Sequence, residues 1–367
     1  MINVGVTNIK KEELNELNSN PPNRVRFSNI KTEKSDLYKG FNYFSRKVDV
    51  DLIESTGPCI AQQEHVQRLS TAIFGFSILG NQMTRKQKLN MWRKMALREN
   101  CRKIMFKSMA AYNMLTGYRK YFGYRYGKIR DKEILDKTEI TYPGVKHIQY
   151  KKKNKDEIKI LFAGNFFYRE GGEQVVNAFR KLQGKYDNIK LVLYSWDIDR
   201  KKHYSSINDD KIMERISRNK AITMISSSKG TLFDKHLETG DIFVRPTIKD
   251  HDGFSLLNPM NFSMPVISTD FFAIPEIVEN NKEGLLIRIS NYNYVLNEIG
   301  NKLVFSKSLD RYLEAEVYKK LKQLVDDNKL RLKLGRNANK KVESKFSIEK
   351  RNRQLKRIYE EAASKNA

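Results

Sequence analysis

The sequence is short of several things, and each shortage narrows what it can be. Only two cysteines, Cys59 and Cys101, occur in 367 residues, with no CxxC and no Cys/His cluster. Neither a disulfide framework nor a structural zinc site is supported, and a reducing, cytoplasmic compartment is expected. Long apolar runs are missing: nowhere do roughly 18 consecutive apolar residues appear, as a membrane-spanning helix requires. The opening MINVGVTNIK lacks a basic stretch followed by an apolar run, so neither secretion nor membrane insertion is expected. Acidic residues are outnumbered, 43 Asp and Glu against 69 Lys and Arg, for a net charge of +26 and a pI near 9.8. A surface with that field favours an anionic partner: nucleic acid, an anionic membrane face or a phosphorylated substrate. No Walker loop and no GxGxxG fingerprint is present.

What is present is enough for two cores. The length exceeds the roughly 250–300 residues at which one hydrophobic core stops growing. Hydrophobic residues make up 40% of the chain, which excludes disorder as the main state.

Short apolar runs alternate with stretches of helical spacing, the pattern of βα units around a largely parallel sheet. Strands are expected at 48–53, 158–163, 189–194, 222–225, 241–244 and 265–268. Val176, Phe179 and Leu182 recur at three- and four-residue steps, predicting a helix over 173–182. The stretch 85–126 has a different texture, helical and rich in Lys, Arg, Met and aromatics, with Leu89, Trp92 and Ala96 on one face. From Arg85 to Arg130 there are fourteen Lys and Arg against one acid, Glu99. A boundary is expected at Tyr142-Pro143-Gly144 and the charged run 151–156. The tail from Leu309 reads as helical, and Leu355, Ile358 and Tyr359 give its last helix a docking face.

Two stretches can carry chemistry. Residues 165–172 lie between a strand and a helix, where backbone amides can face an anion and Gly164, Gly171 and Gly172 would let a phosphate approach closely. A glycine-bearing βα turn is, however, more often only a turn. The second stretch, 240–287, runs from a strand into a polar loop with Asp250, His251, Asp252 and Gly253, then into an apolar helix start carrying Asn258. Polar side chains are thereby placed at the carboxyl end of a parallel strand, where open α/β sheets bind ligands.

These residues resemble the glycosyltransferases of family 4. Asp250 falls on the first Glu of that family's E-x7-E motif and Asn258 on the second; Gly253, Leu256, Leu257, Met260, Pro265, Val266, Ile267, Pro275, Glu276, Val278 and Gly284 fall on matching types without a gap. Upstream, Ile160 to Gly172 is similar to the family's first strand and loop of the C-terminal domain. Lys103 to Leu115 is similar to one of its helices, and Gln63-Glu64-His65-Val66 to a segment on the cleft side of its N-terminal domain. Phe346-Ser347 and Tyr359 are similar to its closing helix.

The resemblance implies an α/β protein of GT-B architecture, with two Rossmann-like domains facing across a cleft. It divides the chain into an acceptor-side domain over 1–145, a donor domain over 146–346, and a helix over 347–367 returning to the first domain. It implies transfer of a sugar from a nucleotide diphosphate donor with retention, needing no metal and no other cofactor. Asp250, His65 and Asn258 would take the catalytic positions, Asp250 and His65 orienting the sugar. Gly164, Asn165, Arg169, Gly253, Phe254, Ser255 and Asn258 would bind the donor. The departures lie at the family's phosphate-binding Arg and Lys, here Asn165 and Glu170, and at Asn258 in place of Glu. Arg169 is the residue placed to restore the missing positive charge.

Blander readings stand beside these. Asp49-Val50-Asp51 and Asp197-Ile198-Asp199 have the form of a DxD metal motif, without convergent ligands to support it. Asn261-Phe262-Ser263 fits a glycosylation sequon but falls in a helix expected to be packed. Trp92, Met91, Met95, Met105 and Met109 read as core. The basic segment suits an anionic membrane surface beside a glycan or lipid-linked acceptor. Tyr118, Tyr121, Tyr124 and Tyr126 within it also suit base stacking, which keeps a nucleic-acid-binding protein as an alternative. A degenerate transferase that binds without turnover is the other alternative.

Overall fold

The computed structural model describes residues 1–8, 11–33, 42–69, 85–116, 129–150, 156–195, 211–225, 235–248, 250, 253–289, 297–299, 302–304 and 307–364. The chain forms two compact units, Met1–Lys146 with Phe346–Ala367, and His147–Lys345.

The first unit is built on a six-stranded parallel sheet. Its strands are β1 (Ile2–Thr7), β2 (Val25–Ile30), β3 (Leu52–Ser55), β4 (His65–Leu69), β5 (Cys101–Phe106) and β6 (Thr138–Ile140), in the order β2-β1-β3-β4-β5-β6. The expected strand 48–53 begins later, at Leu52, because Asp49 to Asp51 form a bend in which Asp51 Oδ2 accepts the Asn3 N–H at 2.7 Å. The helical reading of 103–115 is corrected. Residues 101–106 are a buried strand at the edge of a helix, and only Met109–Thr116 is helical. Ser108 sits between the two and accepts the Ala111 N–H at 3.1 Å, starting the helix. A helix pattern was misread there because Ile104, Met105 and Phe106 are all fully buried, and a strand covered on both faces loses its alternation.

The helix Arg85–Ala96 buries Trp92 and Ala96, and Trp92 Nε1 donates to Gln67 Oε1 at 3.0 Å. Cys59 and Cys101 are free and buried, and desolvation pushes both thiols up to about 12. The last helix, Ile348–Ala363, buries Leu355, Ile358, Tyr359 and Ala362 against Val4, Val6, Val25, Phe27, Leu52, Val66 and Met105. Its start is fixed on the strand-like turn after β6: Val145 N–H donates to Phe346 O, and Ile348 N–H to Val145 O. Gly144 is required at that crossing, since a Cβ there would lie 2.8 Å from Ile348 Cα.

The second unit holds another six-stranded parallel sheet: β7 (Ile158–Ala163), β8 (Ile189–Tyr194), β9 (Ile222–Ile225), β10 (Ile242–Arg245), β11 (Val266–Thr269) and β12 (Gly284–Ile287). Their order is β9-β8-β7-β10-β11-β12. Chain order therefore reverses direction between β7 and β10, the doubly wound arrangement whose switch point opens a crevice outside the carboxyl ends of those two strands. The strands are nearly all apolar because helices cover both faces. Gly172–Gln183 supplies one such helix, with Val175, Val176, Phe179 and Leu182 fully buried. Lys307–Asp326 packs along it, followed by Asn328–Phe346.

Candidate functional site

The two segments that leave the switch point of the second unit meet at a buried guanidinium. β10 ends in Arg245, whose side chain is 9% exposed. Its Nε donates to Glu170 Oε2 at 2.6 Å, and Nη2 lies 2.6 Å from the same oxygen. Its Nη1 donates to Asp250 Oδ2 at 2.7 Å and to Ser255 Oγ. Asp250 is satisfied on both oxygens: Oδ1 accepts the Gly253 N–H at 2.8 Å, and Oδ2 also accepts from Ser255 Oγ at 3.2 Å. Arg169 joins from the opposite side, donating from Nη2 to Glu170 Oε1 at 3.3 Å while its guanidinium stacks 3.7 Å over the Phe166 ring.

Electrostatics follow from that geometry. Burial works against the Arg245 charge, but Glu170 and Asp250 more than restore it and raise its pKa. Burial likewise pushes the Asp250 carboxyl up. The Arg245 charge and the hydrogen bonds from Gly253, Arg245 and Ser255 outweigh it, so Asp250 stays below the ordinary carboxylate range and ionised. Two carboxylates and two guanidiniums thus form one neutral cluster.

Several expectations change here. At Gly164, Gly171 and Gly172 the space a side chain would take is already filled: a Cβ at Gly164 would lie 2.5 Å from Glu170 Oε2, one at Gly171 2.5 Å from Pro246, and one at Gly172 2.4 Å from Phe167. Their small size admits the protein's own side chains. Gly171 also caps the following helix at φ 86°, a left-handed conformation that suits glycine. Glu170, which would repel a diphosphate if it faced one, is turned inward and only 2% exposed. The Gly253 amide is committed to Asp250, and Gly253 itself holds φ 70° at the start of the 3-10 turn Phe254–Leu256. The helix expected from Leu256 is a five-residue segment, Leu257–Asn261, so its dipole at this point is small. Asn165, Ser255 and Asn258 are exposed around the cluster, and Phe254 is half-buried. His251 and Asp252 lie outside the described residues, as do Asp197 to Asp199 and Tyr118, Tyr121, Tyr124 and Tyr126.

His65 belongs to the other unit. It sits on β4, 1% exposed, with Nδ1 3.2 Å from Gln63 O and Nε2 buried without a hydrogen-bond partner among the described residues. Burial pushes its pKa down to about 4, so the ring is neutral. A side chain enclosed in this way presents no surface to a sugar, and its placement corrects the orienting role expected for it. Asn261, in the sequon, is 3% exposed and holds the Ile148 N–H at 3.0 Å. Among the described residues no group of three or more His, Cys, Asp and Glu could hold a metal ion, and no helix is long and apolar enough to cross a membrane.

Arg245 was missed by sequence reading, although a signal existed. A basic residue ends an otherwise apolar buried strand, where it must find a buried counter-charge.

Residues 146–300 match the family model of Glycosyl transferases group 1. The capsular polysaccharide biosynthesis glycosyltransferase CapM of Staphylococcus aureus is 21% identical over 199 residues, 54% of this chain and 45% of that protein, so the match spans less than half of that relative. Among solved structures, HepE of Anabaena, in complex with UDP and glucose, superposes with a TM-score of 0.62 at 10% identity, covering 98% of this chain and all of that one. A glycosyltransferase from Rickettsia africae gives 0.60 at 13% identity over 99% and 90% of the two chains. The protein has the GT-B fold of these structures, and the residues matched by the group 1 model include the whole Arg245 cluster.

Proposed function

We propose that the protein is a retaining glycosyltransferase of the family 4 type, moving a hexose from a nucleotide diphosphate donor without a metal ion. The observation that carries this reading is the charged cluster of Glu170, Arg245, Asp250 and Ser255 at the switch point of the second unit, inside the group 1 domain. Structural neighbours support a nucleotide-sugar donor: HepE was crystallised with UDP-glucose, and TarM of Staphylococcus aureus with UDP and an α-GlcNAc-glycerol. Breaking the bond to a leaving diphosphate requires fixed positive charge and hydrogen-bond donors beside the departing oxygen. Arg169 and the exposed Ser255 supply them at the rim, and Asn258 offers an exposed amide to ribose hydroxyls. Asp250 would accept a sugar hydroxyl.

On the other unit, the helix Arg85–Ala96 carries five Lys and Arg and no acid. That local excess of positive charge supports an acceptor presented at an anionic surface, a glycan or a lipid-linked sugar, with the protein acting on the cytoplasmic side.

Calorimetric titration with UDP, GDP and ADP and their sugar conjugates tests the donor reading. Saturable binding with one base preferred, weakened about tenfold by Asn258→Ala or Arg169→Ala, is the expected result. Equal affinity for all nucleotides, or none for any, overturns it.

A further inference from the structure

The donors that meet at Asp250 are those an anionic oxygen needs. The Arg245 guanidinium, the Gly253 amide and the Ser255 hydroxyl converge on the two oxygens of one carboxylate. A guanidinium edge, an amide from a left-handed residue and a hydroxyl are equally suited to the oxygens of a phosphate. They lie at the carboxyl end of β10, beside the switch point with β7.

The two carboxylates on Arg245 are not equivalent. Glu170 takes the Nε and Nη2 edge; it is 2% exposed, lies directly against Gly164 and is held on its other oxygen by Arg169. Asp250 takes Nη1 from a polar loop, with its side chain 10% exposed, beside the exposed Ser255. Glu170 is therefore the permanent counter-ion that keeps a buried guanidinium tolerable, and Asp250 is the exchangeable one. Replacing one anion by another at Nη1 leaves Arg245 with the same number of partners, so the exchange avoids a bare buried charge.

We propose that Arg245 is a donor-binding residue and that Asp250 is an internal stand-in for the donor, displaced by an oxygen of its diphosphate from Arg245, Gly253 N–H and Ser255. Once displaced, the carboxylate is free to accept a sugar hydroxyl, so one movement both seats the diphosphate and arms the sugar contact. This inference rests on the nucleotide-sugar reading above and deepens it. Its consequence runs opposite to simple loss of a ligand: removing the Asp250 charge strengthens diphosphate binding while abolishing transfer.

The test uses the intact protein at pH 7.5 and inorganic pyrophosphate as the probe, beside UDP, GDP and ADP. Asp250→Asn keeps an oxygen for the Gly253 amide but removes the competing charge, and pyrophosphate should bind about tenfold more tightly than to the unsubstituted protein. The double variant Glu170→Gln with Arg245→Gln removes one cation and one anion and so keeps the net charge of the cluster, and pyrophosphate binding should be lost while the melting transition persists. Unchanged or weaker pyrophosphate binding in Asp250→Asn overturns the proposal, and that variant decides alone should the double variant fail to fold. Tighter pyrophosphate binding in Asp250→Asn, with no nucleoside diphosphate bound better than pyrophosphate, upholds the cradle and removes the nucleotide-sugar reading.

Discussion

Each unit sets one arginine against a buried glutamate near the end of a parallel strand, and the two pairs differ in what completes them. In the first unit Arg68 Nε lies 2.8 Å from Glu54 Oε1 and Nη2 donates to Oε2 at 3.1 Å. The carboxylate also accepts from the Tyr359 hydroxyl of the last helix, itself fully buried. One cation, one anion and a phenol complete each other, with Glu54 and Tyr359 buried and Arg68 partly exposed beside them. In the second unit Arg245 has two anions, and one of them lies beside an exposed serine. The same chemistry is a clasp where one carboxylate is held by one guanidinium and a phenol of the last helix, and a site where a second carboxylate, from a loop, shares the guanidinium beside an exposed serine.

The comparison can be broken most severely in the first unit. Arg68→Ala leaves Glu54 buried without its cation and should destabilise that unit by about 3–5 kcal/mol. Labelling of Cys59 and Cys101 reads it directly, since both buried thiols lie in the first unit and react only when it opens. Unchanged labelling rates would mean the pair is not a clasp.

Acid should separate the units by sign. His65 holds a pKa of about 4 in the folded chain against 6.5 unfolded, so between those values the unfolded state binds more protons. Stability of the first unit should fall as pH drops from 6.5 toward 4, by up to on the order of 3 kcal/mol. In the second unit, desolvation raises the Asp310 carboxyl to about 6, against its hydrogen bond from Gln174 and helped by Glu314. There the folded state binds more protons, so stability is present at low pH and is lost as pH rises through 6. Hydrogen exchange followed in each sheet between pH 4 and 7 should show the two trends in opposite directions. Asp310→Asn removes the buried charge and should stabilise the second unit at pH 7 by roughly 1–2 kcal/mol, measured by denaturant titration.

The smallest effect sharpens the role of the last helix. Tyr359→Phe keeps the ring against Phe27, 6.1 Å away, and removes only the hydroxyl between Glu54 and Arg68. A loss of about 1 kcal/mol in first-unit stability is expected. A loss as large as that of Arg68→Ala would show the phenol, rather than the ion pair, to be the fastening.

Much of the second unit was legible in the sequence because its strands are short apolar runs between charged segments. The runs at 158–163, 189–194 and 222–225 are strands with those bounds, and Val176, Phe179 and Leu182 do line the buried face of a helix. In the first unit the same reasoning failed at 103–106, where a central strand and the helix after it merge into one apolar stretch. Site residues were legible as a neighbourhood, not as an arrangement. Asp250, Gly253 and Ser255 do converge, but Arg245 and Glu170, which organise them, read as departures from a pattern until paired.

The sequence by itself determined the alternating α/β order, the basic surface, and a polar loop at the end of a buried strand, because periodicity and local charge are properties of neighbouring residues. Only the tertiary structure decided that glycines at 164, 171 and 172 make room for the protein's own side chains, that His65 is enclosed, and that Glu170 and Asp250 share one guanidinium. Those facts join residues as far apart as 75 positions, and the energy of a buried charge depends on which partner the fold brings within reach.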